Sequence, residues 1–259
     1  MGELIPAATI LLLRDAPAFE VLMVERHADI AFAGGALVFP GGRIDQGDCN
    51  PEWAAHCAGA DSIPVEEFAP RIASIREAFE ETGILLAHRN GGAVSREDAI
   101  ALAHWRSLIE ADDRLFLELV REERLTLDLT SLHLFARWRP PKGVGHRRYD
   151  TWFFAARAPG EQLARADGGE ATEIVWTSPG AALAARDAGR RKMIFPTSRN
   201  VELLNLSKTA EEVFAFAMRR SIRVIEPNMI ERDGRGYLVI PDDMGYPVTQ
   251  EDLDIAMRS

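Results

Sequence analysis

Hydrophobic positions recur along this chain with two different periods, and the change of period marks its elements. Residues 7–14 and 19–26 are apolar runs containing β-branched side chains, separated by Asp15-Ala16-Pro17-Ala18, which predicts a strand, a turn and a second strand. Gly34-Gly35 then introduces a short strand over 36–39. Pro40 stops its ladder and Gly41-Gly42 frees the backbone of the following loop. Asn50-Pro51-Glu52-Trp53 has a capping residue followed by proline at the first helical position, and Ser62-Ile63-Pro64 predicts another short helix that Pro70 interrupts. From Pro70 to Thr82 the period is helical. Ile72, Ile75 and Phe79 share one face, Gly83 supplies a C-terminal cap, and Ile84-Leu85-Leu86 reads as a buried extended run.

A second helical region begins at Ser95, breaks near Asp112-Asp113 and resumes through Leu125, with Leu102, Trp105, Leu108, Leu117 and Val120 at its apolar positions. Strands are expected at 132–138 and 149–156 around Pro140-Pro141-Lys142-Gly143, and at 171–176. Helices are expected at 179–188, 198–206 and 210–219, then a hairpin within 222–240 around Asp233-Gly234-Arg235-Gly236. The polar tail after Pro241 reads as a surface arm or a partner contact. No linker-like stretch and no internal repeat divides the 259 residues, which predicts a single domain over 1–259.

Composition narrows the function classes. With 47% hydrophobic and 27% charged residues the chain can bury a core, and its net charge of −10 repels polyphosphate backbones, so it is expected to bind no nucleic acid. A phosphate-bearing ligand would need a local cation or arginines. The apolar stretch 4–13 contains Pro6 and is too short to span a bilayer, and no secretion signal precedes it, so no membrane partner is expected and the expected compartment is the cytoplasm. Cys49 and Cys57, with His56 between them, offer too few ligands for structural zinc and read as incidental thiols.

The chemistry concentrates on the helix ending at Gly83. At about 100° per residue, Glu77, Glu80 and Glu81 fall within a sector of about 100°, opposite the apolar stripe. A solvated acidic face is the plain alternative. Against it, like charges four apart cost about 0.2–0.5 kcal/mol, and anions in the last turns cost roughly another 0.3–1 kcal/mol against the helix dipole. A divalent cation reverses both penalties, and hard oxygen ligands suit Mg²⁺ or Mn²⁺. Arg76 is placed to pair with Glu80, and the glycines after Phe39 let a main-chain carbonyl, that of Gly41 or Gly42, approach the same ion.

Phe39-Pro40-Gly41-Gly42 followed by Arg76-Glu77-Ala78-Phe79-Glu80-Glu81-Thr82-Gly83-Ile84 resembles the signature of the Nudix hydrolases. Every fixed position of its second part is present. The family's first glutamate falls on Asp48, and 27 residues, 49–75, stand where the motif has seven. The resemblance implies an α/β/α sandwich with a mixed sheet and helical insertions, one insertion at about 49–69, and a C-terminal extension at about 220–259. It also implies metal-assisted hydrolysis of a nucleoside diphosphate linked to another moiety. The implied metal ligands are Gly42, Glu77, Glu80 and Glu81, with Arg76 completing the catalytic set. The general base is left among Asp48, Glu170, Glu173 and a glutamate of the motif helix.

The interrupted motif, the run from Arg147 to Phe154 and the segment from Glu173 to Pro179 are similar to the coenzyme A diphosphatase branch of that family. Leu22, Arg26 and Gly35 match part of the branch's coenzyme A signature, whereas His27 stands in place of serine and Ala31 in place of arginine. Coenzyme A or acyl-coenzyme A is therefore the first expected substrate, giving 3′,5′-ADP and a phosphopantetheine. ADP-ribose, a dinucleotide or a nucleotide sugar is the alternative, and a silent nucleotide-binding regulator the alternative from another class. Arg26, Arg43, Arg147 and Arg148 are the candidate phosphate-binding residues, with Arg139 read as an exposed turn residue. Trp138, Trp152 and Trp176 read as core before base-stacking groups. The C-terminal hairpin is a candidate homodimer surface.

Overall fold

The computed structural model describes residues 3–27, 33–143, 148–169 and 171–256. Its first strand, β1 (Leu4–Arg14), is apolar along most of its length because both of its faces are covered. Ile10 and Leu12 enter one hydrophobic core, Leu11 and Leu13 the other, and all four are fully buried. β2 (Glu20–Arg26) folds back on β1 antiparallel. The short β3 (Leu37–Val38) and β4 (Gly41–Arg43) follow, pairing β2 and β1 respectively. β1 thereby forks: residues 7–9 pair with β4 and residues 13–14 with β2.

The segment between Asp48 and the motif helix contains a 3₁₀ turn capped by Asn50, a strand β5 (Cys57–Ala58) and the start of α1 (Val65–Thr82). Trp53 fastens it: the indole is buried, donates to the Gly47 carbonyl at 2.8 Å and packs on Phe116. Pro70 does not interrupt a helix here, contrary to the reading of the sequence; α1 runs through it without a break. The hydrogen bond that proline deletes is the one to the Glu66 carbonyl, and Glu66 lies in an exposed first turn where water can replace it.

Ile84-Leu85-Leu86 is buried as expected but forms no strand; pairing starts at β6 (Ala87–Arg89), followed by β7 (Gly92–Ala93). The helical region splits into α2 (Arg96–Leu102), α3 (Trp105–Ala111) and α4 (Leu115–Glu122). It does not reach Leu125: Arg124 takes a positive φ of 52°, and Leu125 opens β8 (Leu125–Asp128), which pairs with β5 and β6. Then come β9 (His133–Trp138), β10 (Arg148–Arg157) and β11 (Ala171–Thr177). After α5 (Pro179–Asp187), α6 (Phe195–Leu204) and α7 (Ala210–Arg219), the chain adds β12 (Val224–Ile225), the hairpin β13 (Asn228–Arg232) and β14 (Arg235–Val239), β15 (Gln250–Asp252) and α8 (Leu253–Ala256).

The main sheet has the order β11-β2-β1-β10-β9-β12, with β1 and β10 parallel over ten residue pairs and most other pairs antiparallel, so it is mixed. One face packs against α1 and α2–α4, the other against α5–α7 and the C-terminal segment, which makes the α/β/α layering expected of the sequence. The tail after Pro241 is no free arm. Met244 and Tyr246 are buried, the Tyr246 hydroxyl donates to Asn200 Oδ1 at 2.8 Å, and β15 adds to β14.

Candidate active site

The last turns of α1 lie beside β4, and Arg76 is the hub that joins them. Its guanidinium, only 3% exposed, donates from Nε and Nη2 to the two oxygens of Asp48, each at 2.9 Å. Nη1 reaches Glu77 Oε1 and Glu80 Oε1, both at 2.9 Å, and Nη2 also reaches the Arg43 carbonyl at 2.8 Å. Burial works against the charge of Arg76, but Glu77, Asp48 and Glu80 outweigh it and hold its pKa above the usual range. Asp48, 1% exposed, is thus brought to the helix despite the long insertion, and its loop is stapled by the Asp45 N–H donating to Asp48 Oδ2 at 2.9 Å.

The two glycines let the acidic side chains close on β4. A Cβ on Gly42 would sit 2.5 Å from Glu77 Oε1, and one on Gly41 would sit 2.5 Å from the Ala8 carbonyl oxygen. The Gly41 N–H donates to Glu81 Oε2 at 3.3 Å, and Arg26 lies 3.8 Å from the other Glu81 oxygen. Glu77 and Glu81 are buried, at 9% and 4% exposure, which is unusual for carboxylates and is sustained by these charged and N–H partners. Burial pushes the Glu80 carboxyl up to about 7 against the pull of Arg76, with Asp48 and Glu110 adding to the rise. Gly83 ends the helix with φ +74°, and Arg106 Nε from α3 donates to the Glu80 carbonyl at 2.9 Å, placing a cation at the negative end of the helix dipole.

These groups open on a cavity of about 600 Å³. It brings together Arg26, Gly42, Arg43, Arg76, Glu77, Glu80 and Glu81 from the residues singled out in the sequence. Arg148 is not among its lining residues: it is buried beside the Pro140 carbonyl at 3.4 Å and Glu226 at 3.6 Å, because its neighbours on β10 alternate and Tyr149 takes the cavity side. Arg139, read as an exposed turn residue, lines the cavity with its guanidinium fixed on Asp150 at 2.7 Å. Arg147, Glu170 and Ala31 lie outside the described residues. Glu173 pairs with Arg191 at 2.7 Å and lines no part of the cavity, nor does Asp48. Trp138 lines it, while Trp152 and Trp176 carry the guanidinium groups of Arg137 and Arg14.

Besides Asp45 in the loop after β4, three more distant cavity carboxylates went unread in the sequence: Glu110, Asp113 and Asp167. They sit in α3, in the turn before α4 and in the loop before β11, and no spacing links them to the motif. Burial pushes the Cys57 thiol up to about 12, in keeping with an unreactive cysteine.

The family model of the NUDT19 Nudix domain matches residues 56–197. The chain belongs to the NUDT19 Nudix domain family. That match takes in the rest of the insertion, α1 and the sheet beyond it, and ends in the first turn of α6. The chain is 27% identical to the acyl-coenzyme A diphosphatase NUDT19 of Xenopus laevis, over 92% of its own length and 73% of that protein. It is 26% identical to the acyl-coenzyme A diphosphatase NUDT19 of Homo sapiens, over 88% and 73%. Among solved structures, a NUDIX hydrolase from Alicyclobacillus acidocaldarius superposes with a TM-score of 0.67 at 25% identity, covering 83% of this chain and 97% of that one.

Nudix hydrolases generally use divalent metal ions. Among the described residues no three His, Cys, Asp or Glu side chains are already gathered tightly enough to hold one, since Glu77 and Glu80 each turn an oxygen to Arg76. The donor set nevertheless fits such an ion. Every candidate ligand is a hard oxygen, and the cradle over Gly42, where a Cβ has no room, lies against the Glu77 carboxylate.

Proposed function

We propose that this chain is a divalent-metal-dependent diphosphatase that hydrolyses coenzyme A or acyl-coenzyme A to 3′,5′-ADP and the corresponding phosphopantetheine. The observation carrying this reading is the set of carboxylates at the wall of a cavity of about 600 Å³, with buried Glu77 and half-buried Glu80 held by Arg76, and buried Glu81 held by the Gly41 N–H and Arg26. Membership of the Nudix family and the printed activity of the relatives support it. Glu77, Glu80, Glu81 and the Gly42 carbonyl would hold Mg²⁺ or Mn²⁺, which, when bound, neutralises diphosphate charge and makes water more acidic.

The chain's own residues supply positioning. Arg76, tied to Asp48, fixes the rotamers of Glu77 and Glu80, so little reorganisation is left for the reacting state. Arg26 and Arg43 stand beside the carboxylates and Arg139 at the opposite rim, offering guanidinium groups to phosphate oxygens. A general base must reach the attacking water, which favours a cavity-lining carboxylate over Asp48 or Glu173. Two cysteines outside any disulfide support a cytoplasmic setting, and no helix among the described residues is long and apolar enough to cross a membrane.

A panel of coenzyme A, acyl-coenzyme A, ADP-ribose and NADH, with products read by mass, tests the proposal. Release of 3′,5′-ADP is expected. Cleavage of ADP-ribose or NADH with coenzyme A untouched would reject the substrate, and no turnover together with tight nucleotide binding would reject the activity.

A further inference from the structure

The cavity has a second end, and the strand register builds it. Side chains paired directly across neighbouring strands share a face. One such row runs Arg43 on β4, Ala7 on β1, Thr151 on β10 and Trp138 on β9. The next runs Gly41, Thr9 and Phe153. All of these line the cavity. Between Arg43 and Trp138 the first row carries only the small side chains of Ala7 and Thr151, with Phe153 ending the second, while further along β1 the same face carries Leu11 and Leu13, fully buried beneath the helices. At about 4.8 Å per strand, the floor extends roughly 14 Å from the glycine pair to Trp138.

That far end is backed by packed rings. Trp138 is 2% exposed and stands edge-on to Tyr246 at 5.6 Å and Phe195 at 6.0 Å, so the core backs it. Half-buried Tyr149 and the rings of Pro140 and Pro196 add flat surfaces. A lobe with small floor residues, ring walls and threonine hydroxyls suits a planar heteroaromatic group carrying polar edges. A long flexible arm would lose more conformational entropy in such a lobe.

We infer that this lobe receives the base of the adenosine half of the substrate, laid on Ala7 and Thr151 toward Trp138, and that the small size of these two residues is what admits it. The inference rests on the diphosphatase reading above. The pantetheine or acyl arm then runs from the acidic end away from Trp138.

The test measures calorimetric binding of AMP and of 4′-phosphopantetheine, with Mg²⁺, to the full chain and to Thr151→Leu and Ala7→Val, with melting temperatures and kcat and KM alongside. AMP is the fragment common to coenzyme A, ADP-ribose and NADH, so the lobe is tested whichever of them is cleaved. Filling the floor is expected to weaken AMP by at least about tenfold and to raise KM by a similar factor. Phosphopantetheine binding should stay within about threefold, so that the loss falls on the adenosine half alone. Unchanged AMP binding in a folded variant, selective loss of phosphopantetheine, or no AMP binding by the wild type would overturn the inference. Intact AMP binding without cleavage of coenzyme A would instead reject the proposed substrate and leave the lobe supported.

Discussion

At one end of the cavity, Glu77, Glu80 and Glu81 come from five consecutive positions of one helix; at the other, Ala7, Trp138, Tyr149 and Thr151 come from three strands spread over more than half the chain. The acidic end is dictated by the turn angle of a helix, so its geometry travels with its sequence. The far end exists only because β1, β9 and β10 pair in one register, and a slip of one residue would replace its small floor with the side chains of the opposite face. Reactivity is thus encoded locally and shape collectively.

Removing the support of the acidic end should do the most damage. Asp48→Ala leaves the buried Arg76 without its two-pronged partner, for an expected loss of about 3–5 kcal/mol in denaturant unfolding. A loss below about 1 kcal/mol would mean that the carboxylates of α1 alone sustain the guanidinium. Glu81→Gln should keep the fold and lower kcat by roughly 10²–10³-fold with KM little changed. If it moved KM alone, the division between a reacting end and a recognising end would fail. Gly42→Ala forces a Cβ into the Glu77 carboxylate and is expected to cost about 10–100-fold in kcat/KM, because it displaces the proposed ligand without removing it.

The smallest effect is expected behind the far wall. Tyr246→Phe deletes the hydrogen bond to Asn200 and should cost about 0.5–1.5 kcal/mol of stability, with kcat unaltered. Burial pushes the Tyr246 phenol up to about 12 from an ordinary value of 10. Between those values the unfolded chain loses this proton while the folded one keeps it, so stability falls as pH rises from 10 through 12. Unfolding curves at pH 9, 10.5 and 11.5 should show that decline in the wild type and a shallower one in Tyr246→Phe. Equal slopes would mean that Tyr246 ionises as readily when folded.

Much of this was legible in the residues. The periods of 2 and 3.6 located β9, β10, β11 and α7 within a residue or two, and the spacing of Glu77, Glu80 and Glu81 placed three carboxylates on one helix face. Pro70 misled because a missing N–H is costly only where water cannot reach the orphaned carbonyl, and exposure is a tertiary property. Arg148 misled because strand alternation assigns one face or the other only after the strand's place in the sheet is known.

What the sequence by itself determined was the acidic face of the helix and the charge argument for a divalent cation, both of which depend on rotations within a few residues of one another. Tertiary structure alone decided that Asp48 reaches Arg76 across the 27 residues between them, that Glu110, Asp113 and Asp167 join the cavity, and that Ala7 and Thr151 make its floor. Those are long-range pairings. Their partners are selected by burial of two cores on one sheet, and no local propensity records which distant segment will supply the matching face.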